Sequence, residues 1–155
     1  GPAAGAGMNI ALACDIRIMS KAAKMGQTFS RRGLHPDWGG TYFLPRMIGI
    51  ARAAEMIWSG RMVSAEECLE LGIVSKLSEP KDLMNDVLAM AKTFAEGPPI
   101  AIRLAKRAMY RNVDSSLQEA LEFETFAQNV AAATRDAKEG IAAFVEKRDP
   151  KFKGE

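Results

Sequence analysis

The sequence is poor in the residues that bind metals and form disulfides. Its 155 residues include one histidine and two cysteines, Cys14 and Cys68, with no CxxC spacing. Structural zinc sites take four Cys or His ligands, so this composition argues against a metal centre. Two cysteines set in apolar helical patterns also argue against a disulfide framework, and a reducing, cytoplasmic location is the expectation.

The sequence also has little net charge and no long apolar run. A net charge of +2 is too small to indicate binding to nucleic acid or to an anionic membrane surface. No apolar stretch approaches the roughly 20 residues that a membrane-spanning helix needs, and the chain does not begin with a signal-peptide pattern. With 48% hydrophobic and 26% charged residues, the composition is typical of a globular domain with a substantial core.

The most informative stretch is the glycine-rich opening, Gly1-Pro-Ala-Ala-Gly-Ala-Gly7, which leads into an apolar helical run ending at Cys14-Asp15. The first N–H groups of a helix lack intrahelical partners, and the helix dipole adds partial positive charge there. Small residues let a ligand approach that backbone. Such a turn can bind an anion or an oxyanion that develops during a reaction. The alternative is a tight turn that only packs the helix against a sheet.

The chain as a whole divides into an α/β part, residues 1–79, and a helical part, residues 80–155. In the first part the periodicity predicts strands at 15–19, 24–27 and 73–77 between helices at 5–14, 41–48, 51–59 and from Ser64 onward. In the second it predicts helices at 80–97, 100–111, 116–134 and 138–147. Capping boxes, Ser64 with Glu67 and Ser116 with Glu119, mark two of the helix starts.

Several motifs along the chain resemble those of the crotonase (enoyl-CoA hydratase/isomerase) family. In the family's order they are Gly1–Gly7 with Cys14-Asp15-Ile16, Gly33–Thr41, Leu44–Gly49, Ser64–Val74, Ala105-Lys106 and Glu139–Phe152. The branch that is closest in motif contains a ring-epoxide isomerase of phenylacetyl-CoA and enoyl-CoA isomerases. The resemblance implies an α/β crotonase-like spiral followed by a helical C-terminal region that assembles homotrimers or hexamers.

The resemblance also implies that these residues are the C-terminal part of a longer crotonase. Members of the family carry further strands ahead of the glycine-rich turn, and those strands supply part of the CoA site. We therefore expect residues 1–155 alone to be inactive and prone to self-association.

The shared chemistry of the family is stabilisation of a thioester enolate by two backbone N–H groups. Here the resemblance assigns one of them to Ala6, with Gly5 or Gly7 as the alternative donor and both as neighbouring substrate contacts, and the second to the missing segment. No cofactor is implied, because coenzyme A is part of the acyl-CoA substrate and the thioester carries the activation.

Hydratases of the family carry two glutamates, which align with Asn9 and Phe29. Neither of these residues can exchange a proton near neutral pH, whereas hydration needs one group to activate water and another to protonate carbon. The sequence therefore disfavours ordinary hydration, and Asn9 and Phe29 become expected substrate contacts.

One carboxylate remains in a suggestive position, Asp37 in the run His35-Pro-Asp-Trp-Gly-Gly40. In similar members this aspartate faces the acyl group. Some ring-epoxide and enoyl-CoA isomerases use it to move a proton, and a benzoyl-CoA dehalogenase uses the same position as a nucleophile. Beside Trp38, Phe29 and Leu34 it would be partly desolvated, which favours proton exchange at neutral pH. The alternative is that Asp37 caps the helix that follows. Trp38 is a further expected substrate contact.

Phe144 and Lys147 match positions in the family's last helix that contact CoA; the alternative is a packed aromatic and a surface lysine. Taken with Asp37 and Ala6, they favour an acyl-CoA isomerase that shifts a double bond or opens a ring epoxide. A non-catalytic acyl-CoA binding or assembly protein and a hydratase with atypical acid and base groups are the alternatives.

Overall fold

The computed structural model describes residues 1–155. Its strands are β1 Ala3–Ala4, β2 Ile18–Ser20, β3 Lys24–Gly26, β4 Met62–Ser64 and β5 Lys76–Ser78. Its α-helices are α1 Ala6–Leu12, α2 Gly40–Ile48, α3 Ile50–Ser59, α4 Ala65–Glu70, α5 Leu83–Ala95, α6 Pro99–Asn112, α7 Leu117–Ala132 and α8 Arg135–Glu146, and a 3₁₀ turn covers Ser30–Arg32. No helix combines the length and the apolar composition that a membrane crossing requires.

The first compact unit, Gly1–Leu88, is built on two small sheets. In one sheet β3 lies between β1, which runs parallel to it, and β4, which runs antiparallel. In the other sheet β2 and β5 are parallel. Strands joined by helical crossovers are what the alternating pattern of the first 79 residues predicts, so the α/β class is confirmed for this unit.

The core of this unit lies between α1, α2, α3 and the sheet. On α1, Met8 and Leu12 are four residues apart and therefore share one helix face; both are buried, whereas Ile10 on another face is 52% exposed. From α2 onward the fully buried side chains include Leu44, Met56, Val63, Cys68 and Ile73. This packing holds the start of α1 against the start of α2, which positions the candidate site described below.

The two cysteines are free and lie in different surroundings. Cys14 is exposed, and Cys68 on α4 is buried. Burial raises the pKa of the Cys68 thiol to about 11, because the thiolate would lose its hydration there. Cys68 is therefore an inert core residue at neutral pH.

The second compact unit, Ala89–Glu155, contains α6, α7, α8 and a C-terminal tail. The guanidinium groups of Arg107 and Arg111 lie 5.5 and 4.9 Å from the centre of the buried Phe123 ring. At the start of α7 the predicted capping box of Ser116 and Glu119 is present in both directions. Short-range sequence signals therefore located this helix start correctly.

The C-terminal tail folds back onto α8. The buried Asp136 carboxylate accepts hydrogen bonds from the N–H groups of Lys153 and Gly154, at 2.7 and 2.8 Å. Glu139, one turn further along α8, pairs with Arg148 and accepts the N–H of Lys151 at 2.9 Å. Two carboxylates of one helix therefore hold the tail.

The Glu139 contacts make the attachment of the tail sensitive to acid. The side chain of Arg148 and the N–H of Lys151 lower the pKa of Glu139 to about 2. The pKa of Glu139 is lower in the folded state than in the unfolded state. The stabilising contribution of the Glu139 contacts is therefore fully present above the ordinary glutamate pKa of about 4.3 and is lost as pH falls toward 2. We expect the protection factor of the Lys151 amide, which is the intrinsic exchange rate at a given pH divided by the observed rate, to fall across that window. Glu139→Gln should lower this protection factor at neutral pH and remove its change across the window. Unchanged exchange in Glu139→Gln would show that Glu139 does not hold the tail.

The predicted starts of α5 and β2 differ from the structure, each for a local reason. Pro80 was expected to begin a helix, but a turn closed by the Asp82 N–H on the Glu79 carbonyl comes first, and α5 begins at Leu83. The strand expected at 15–19 forms only at Ile18–Ser20, because residues 13–15 turn the chain out of α1 before it can pair with Lys76–Ser78.

The capping box predicted at the start of α4 forms only in part, and Ser64 is the N-cap as predicted. Ser64 accepts the Glu67 N–H as predicted, but the Glu67 carboxylate pairs with Arg61 instead of completing the capping box.

The sequence also predicts a division at residues 79 and 80, whereas the two compact units of the structure meet at Leu88 and Ala89, inside α5.

Candidate active site

The glycine-rich turn brings the chain from β1 into α1 with a backbone that only glycine adopts readily. Gly5 has φ 53° and ψ −122°, and the Cβ of any other residue would make this conformation costly. The Gly5 N–H donates to the Gly26 carbonyl at 2.9 Å and so continues the β1–β3 pairing. The helix then begins at once with Ala6.

The first turn of α1 presents donors that the helix does not use. The first helical bond runs from the Asn9 N–H to the Gly5 carbonyl at 3.1 Å, so the N–H groups of Ala6, Gly7 and Met8 lack helical acceptors. Met8 is buried, Ala6 is half-buried and Gly7 is exposed. The N–H groups of Ala6 and Gly7 are therefore not used by the helix, and their role in binding a ligand stays a prediction.

Phe29 lies beside this turn. A Cβ placed on Gly5 would lie 3.4 Å from the Phe29 ring and 3.7 Å from Oγ1 of Thr28. The Phe29 ring is half-buried, so one part of it packs on the turn and another part remains open. This arrangement is compatible with the predicted role of Phe29 as a contact for the acyl group.

Asn9 has a different environment from the one expected of a substrate contact. Its side chain is fully buried. Its Nδ2 donates to the backbone carbonyl of Asp37 at 2.8 Å, and its Oδ1 accepts a hydrogen bond from Nε2 of Gln27. Because both ends of the amide are bonded inside the protein, Asn9 links α1 to the Asp37 segment and is not available to a ligand in this structure.

Asp37, Trp38, Gly39 and Gly40 form a tight turn ahead of α2. The Gly40 N–H donates to the Asp37 carbonyl at 3.0 Å, and Trp38 and Gly39 have φ angles of 50° and 77°. Two positive φ angles with this hydrogen bond are the signature of a type I′ turn. A bulky residue in the left-handed region costs roughly 1–2 kcal/mol, so the surroundings must hold Trp38 in place.

The Asp37 side chain is exposed and makes no hydrogen bond or ion pair. The N-cap of α2 is Gly39, and no side chain caps that helix; the alternative interpretation, that Asp37 is a helix cap, is therefore wrong. The expected desolvation is also wrong, because Leu34 and Trp38 are 58% and 64% exposed and leave the carboxylate in solvent. Asp37 is a free carboxylate on a constrained backbone.

The remaining predicted contacts lie in the second compact unit. Phe144 is 85% exposed and lines an apolar groove of about 350 Å³ together with Ile141 and Phe152. Lys147 ends α8 in the left-handed conformation, with φ 55°. Phe144 is therefore not a packed core aromatic, and a role of these two residues in CoA binding stays a prediction.

Two residues of the site could not be identified from the sequence as functional. Gln27 is fully buried at the end of β3, and Gly40 lies against the Asn9 amide, where a Cβ would come within 2.5 Å of Nδ2. The only available signal for Gln27 is its amide side chain at the end of the predicted strand at 24–27. The contact of Gly40 depends on how α1 and α2 pack, which local patterns do not specify.

Comparison with known proteins gives consistent matches along the whole chain. The family described as enoyl-CoA hydratase/isomerase matches residues 1–155. The short-chain-enoyl-CoA hydratase of Clostridium acetobutylicum is 38% identical over 96% of this chain and 57% of its own length. The mitochondrial enoyl-CoA hydratase domain-containing protein 2 of Mus musculus is 42% identical over 99% of this chain and 53% of its own length.

Among solved structures, the enoyl-CoA hydratase of Bacillus anthracis is 40% identical and superimposes with a TM-score of 0.96. It is covered over 60% of its length, while all of this chain is matched. The chain thus spans a little over half the length of the relatives it matches, at a level of identity that extends the similarity beyond the fold.

Proposed function

The chain belongs to the enoyl-CoA hydratase/isomerase (crotonase) family, and we propose that within it the protein is an acyl-CoA isomerase that shifts a double bond or opens a ring epoxide. The observation that carries this proposal is the position of Asp37. Its carboxylate is free, and its backbone is bonded to Asn9, which lies three residues after Ala6 on α1. Three residues correspond to about 4.5 Å along a helix axis, which supports the assignment of the Asp37 segment and the free N–H groups to one site.

In the proposed reaction the Ala6 N–H stabilises the thioester oxygen. When a proton leaves the carbon next to the thioester, negative charge moves onto that oxygen. A fixed N–H donor that faces the developing charge typically supplies about 3 kcal/mol of transition-state stabilisation. The position of Ala6 as the first residue of α1 supports this role, since its N–H has no helical partner. A second donor would come from outside residues 1–155.

Asp37 would move the proton. For a 3-enoyl thioester, the carboxylate takes a proton from the α-carbon, the electron pair forms the dienolate, and the resulting carboxyl group returns a proton to the γ-carbon. The double bond then lies between the α- and β-carbons, and Asp37 is again ionised. One residue can perform both transfers because they occur in sequence on one face of the substrate.

The surrounding residues would bind and orient the thioester. Gly5 and Gly7 allow close approach to the α1 backbone, and Phe29 and Trp38 would contact the acyl group. Phe144 and Lys147 would contact the CoA part. A homotrimer or hexamer and a cytoplasmic location also belong to this proposal, as does the interpretation that the chain is the C-terminal part of a larger crotonase.

Hydration is the second candidate, and the names of the relatives favour it, since the Clostridium and Bacillus anthracis proteins are both called enoyl-CoA hydratases. Against it, the positions of the two hydratase glutamates hold a buried amide, Asn9, and an apolar ring, Phe29. A hydratase would need a different pair of groups to activate water and to protonate carbon.

The two candidates predict different activities in the protein that contains these residues. We expect conversion of trans-3-hexenoyl-CoA to the 2-enoyl thioester, and hydration of crotonyl-CoA far below a typical enzyme rate of about 10 per second. Absorbance of the conjugated thioester reports both reactions, as a gain in the first and a loss in the second. Fast hydration without isomerisation would overturn the proposed function.

A non-catalytic acyl-CoA binding protein is separated from both candidates by solvent exchange. Asp37 is exposed, so its carboxyl proton equilibrates with water, and an isomerase that uses it should incorporate deuterium from heavy water into the thioester. A protein that only binds would leave the substrate unlabelled.

A further inference from the structure

Two buried amides form a hydrogen-bonded chain that ends on the turn of Asp37. Nε2 of Gln27, at the end of β3, donates to Oδ1 of Asn9, and Nδ2 of Asn9 donates to the Asp37 carbonyl at 2.8 Å. Both side chains are fully buried. The Asp37 carbonyl oxygen therefore accepts two hydrogen bonds, one from Asn9 and one from the Gly40 N–H.

We propose that Asn9, oriented by Gln27, is a positioning residue that fixes the Asp37 turn against the start of α1. This inference rests on the proposed function, since it concerns how the proton-transfer group is placed relative to the Ala6 N–H. Asn9 does not touch the substrate; it acts through the backbone of Asp37.

The direction of both amides follows from chemistry. A backbone carbonyl only accepts hydrogen bonds, so the group of Asn9 that faces Asp37 must be its NH₂ group. The Asn9 oxygen then faces Gln27, which must donate as well. This arrangement leaves Oε1 of Gln27 buried without a partner. An unpaired buried oxygen is unfavourable. Its presence is understandable if the hydrogen bond that orients Asn9 is more important to the site than a partner for Oε1 of Gln27.

The turn needs such a restraint because its backbone is strained. Trp38 has a positive φ, which a bulky residue adopts only when its surroundings enforce it. Gly40 makes room for the restraint, since a Cβ there would lie 2.5 Å from Nδ2 and 2.7 Å from Oδ1 of Asn9. Without the Asn9 bond the turn can relax, and the carboxylate would move away from its position relative to α1.

The test uses Asn9→Ala, with Leu12→Val as the matched control on the buried face of α1. Asn9→Ala should lower kcat for trans-3-hexenoyl-CoA by about 10- to 100-fold through misplacement of the carboxylate, with KM changed only a few-fold. Exchange of the Gly40 amide should accelerate by roughly fivefold, the equilibrium factor of one typical hydrogen bond. Leu12→Val should change overall stability but neither of these two readouts.

A second variant, Asn9→Asp, adds a pH signature that a purely structural role would not produce. The introduced carboxyl group can donate to the Asp37 carbonyl only while it is protonated. Burial raises the pKa of such a group, so the ratio of the variant's kcat to the wild-type kcat at the same pH should be highest at low pH and should fall as pH rises through that pKa.

Two results would overturn the inference: a kcat for Asn9→Ala within twofold of wild type together with unchanged Gly40 exchange, or an Asn9→Asp profile that follows the wild type at every pH. All kinetic measurements use the longer protein that contains these residues. If its wild type does not isomerise the thioester, the proposed function fails, and Gly40 exchange alone then decides the inference. Gly40→Ala should accelerate that amide exchange as Asn9→Ala does, and the double variant should exchange no faster than either single variant. An additive effect in the double variant would contradict the link.

Discussion

Asp37→Asn is expected to lower kcat for isomerisation by about 10²–10⁴-fold, the range for loss of one general acid–base group. The substitution preserves the size of the side chain and removes only its ability to accept and return a proton. It should not disturb the fold, because the Asp37 side chain makes no hydrogen bond or ion pair and the restraints on the turn act through its backbone carbonyl. Initial rates with trans-3-hexenoyl-CoA and calorimetric binding of the same thioester measure the two effects.

Binding should remain within a few-fold of wild type, because Asp37 acts on the transition state. The matched control is Asp114→Asn, which removes an exposed carboxylate in the loop between α6 and α7 and should leave the rate unchanged. Turnover of Asp37→Asn within about threefold of wild type would remove Asp37 from the mechanism.

Ala6→Pro is expected to lower kcat/KM by about 10²–10³-fold, the loss measured when one oxyanion donor is removed. Proline has no N–H, so the variant deletes the proposed donor itself. Ala6 is the first residue of α1, a position where proline is well tolerated because the helix does not use that N–H. Thermal unfolding should therefore change little while kinetics change greatly.

The control for this variant is Ile50→Pro. Ile50 is likewise the first residue of a helix after a glycine N-cap, and its side chain is 80% exposed. The same backbone change at the start of α3 should leave activity and stability close to wild type. Equal losses of activity in both variants would attribute the effect of Ala6→Pro to the helix and not to the N–H.

Several features of this protein could be predicted from sequence because they depend on neighbouring residues. The capping box at Ser116 needs only two side chains three residues apart, and the start of α1 needs only a glycine turn before an apolar run. The strands were harder, since each has two or three residues and is defined by pairing partners far along the chain. Their boundaries follow from packing that no short window contains.

The site shows the same division. Asp37 and Ala6 could be identified through a motif and a family resemblance, but the environment of Asp37 could not, because its exposure depends on how Leu34 and Trp38 are oriented. Asn9 aligns with a catalytic position and was therefore expected to contact substrate. Only the packing of α1 on the Asp37 turn shows that its amide is buried and bonded to the backbone.

The positive φ of Trp38 is a further example. Gly39 and Gly40 indicate a turn. A type I′ turn with tryptophan as its first central residue, however, contradicts the preference of bulky residues for negative φ, and it requires the restraint that Asn9 and Gly40 supply. Local preference fails here beside the residue that we assign to proton transfer. Such departures from local rules are expected to concentrate at functional sites.

The central claim, that Asp37 moves a proton in an acyl-CoA isomerase, is tested most directly in the longer protein that contains these residues. Two reactions are measured in one preparation, isomerisation of trans-3-hexenoyl-CoA and hydration of crotonyl-CoA, in wild type and in Asp37→Asn. The account predicts isomerisation in the wild type, little hydration, and loss of isomerisation in the variant. Rapid hydration with little isomerisation, or isomerisation that survives in Asp37→Asn, would contradict it.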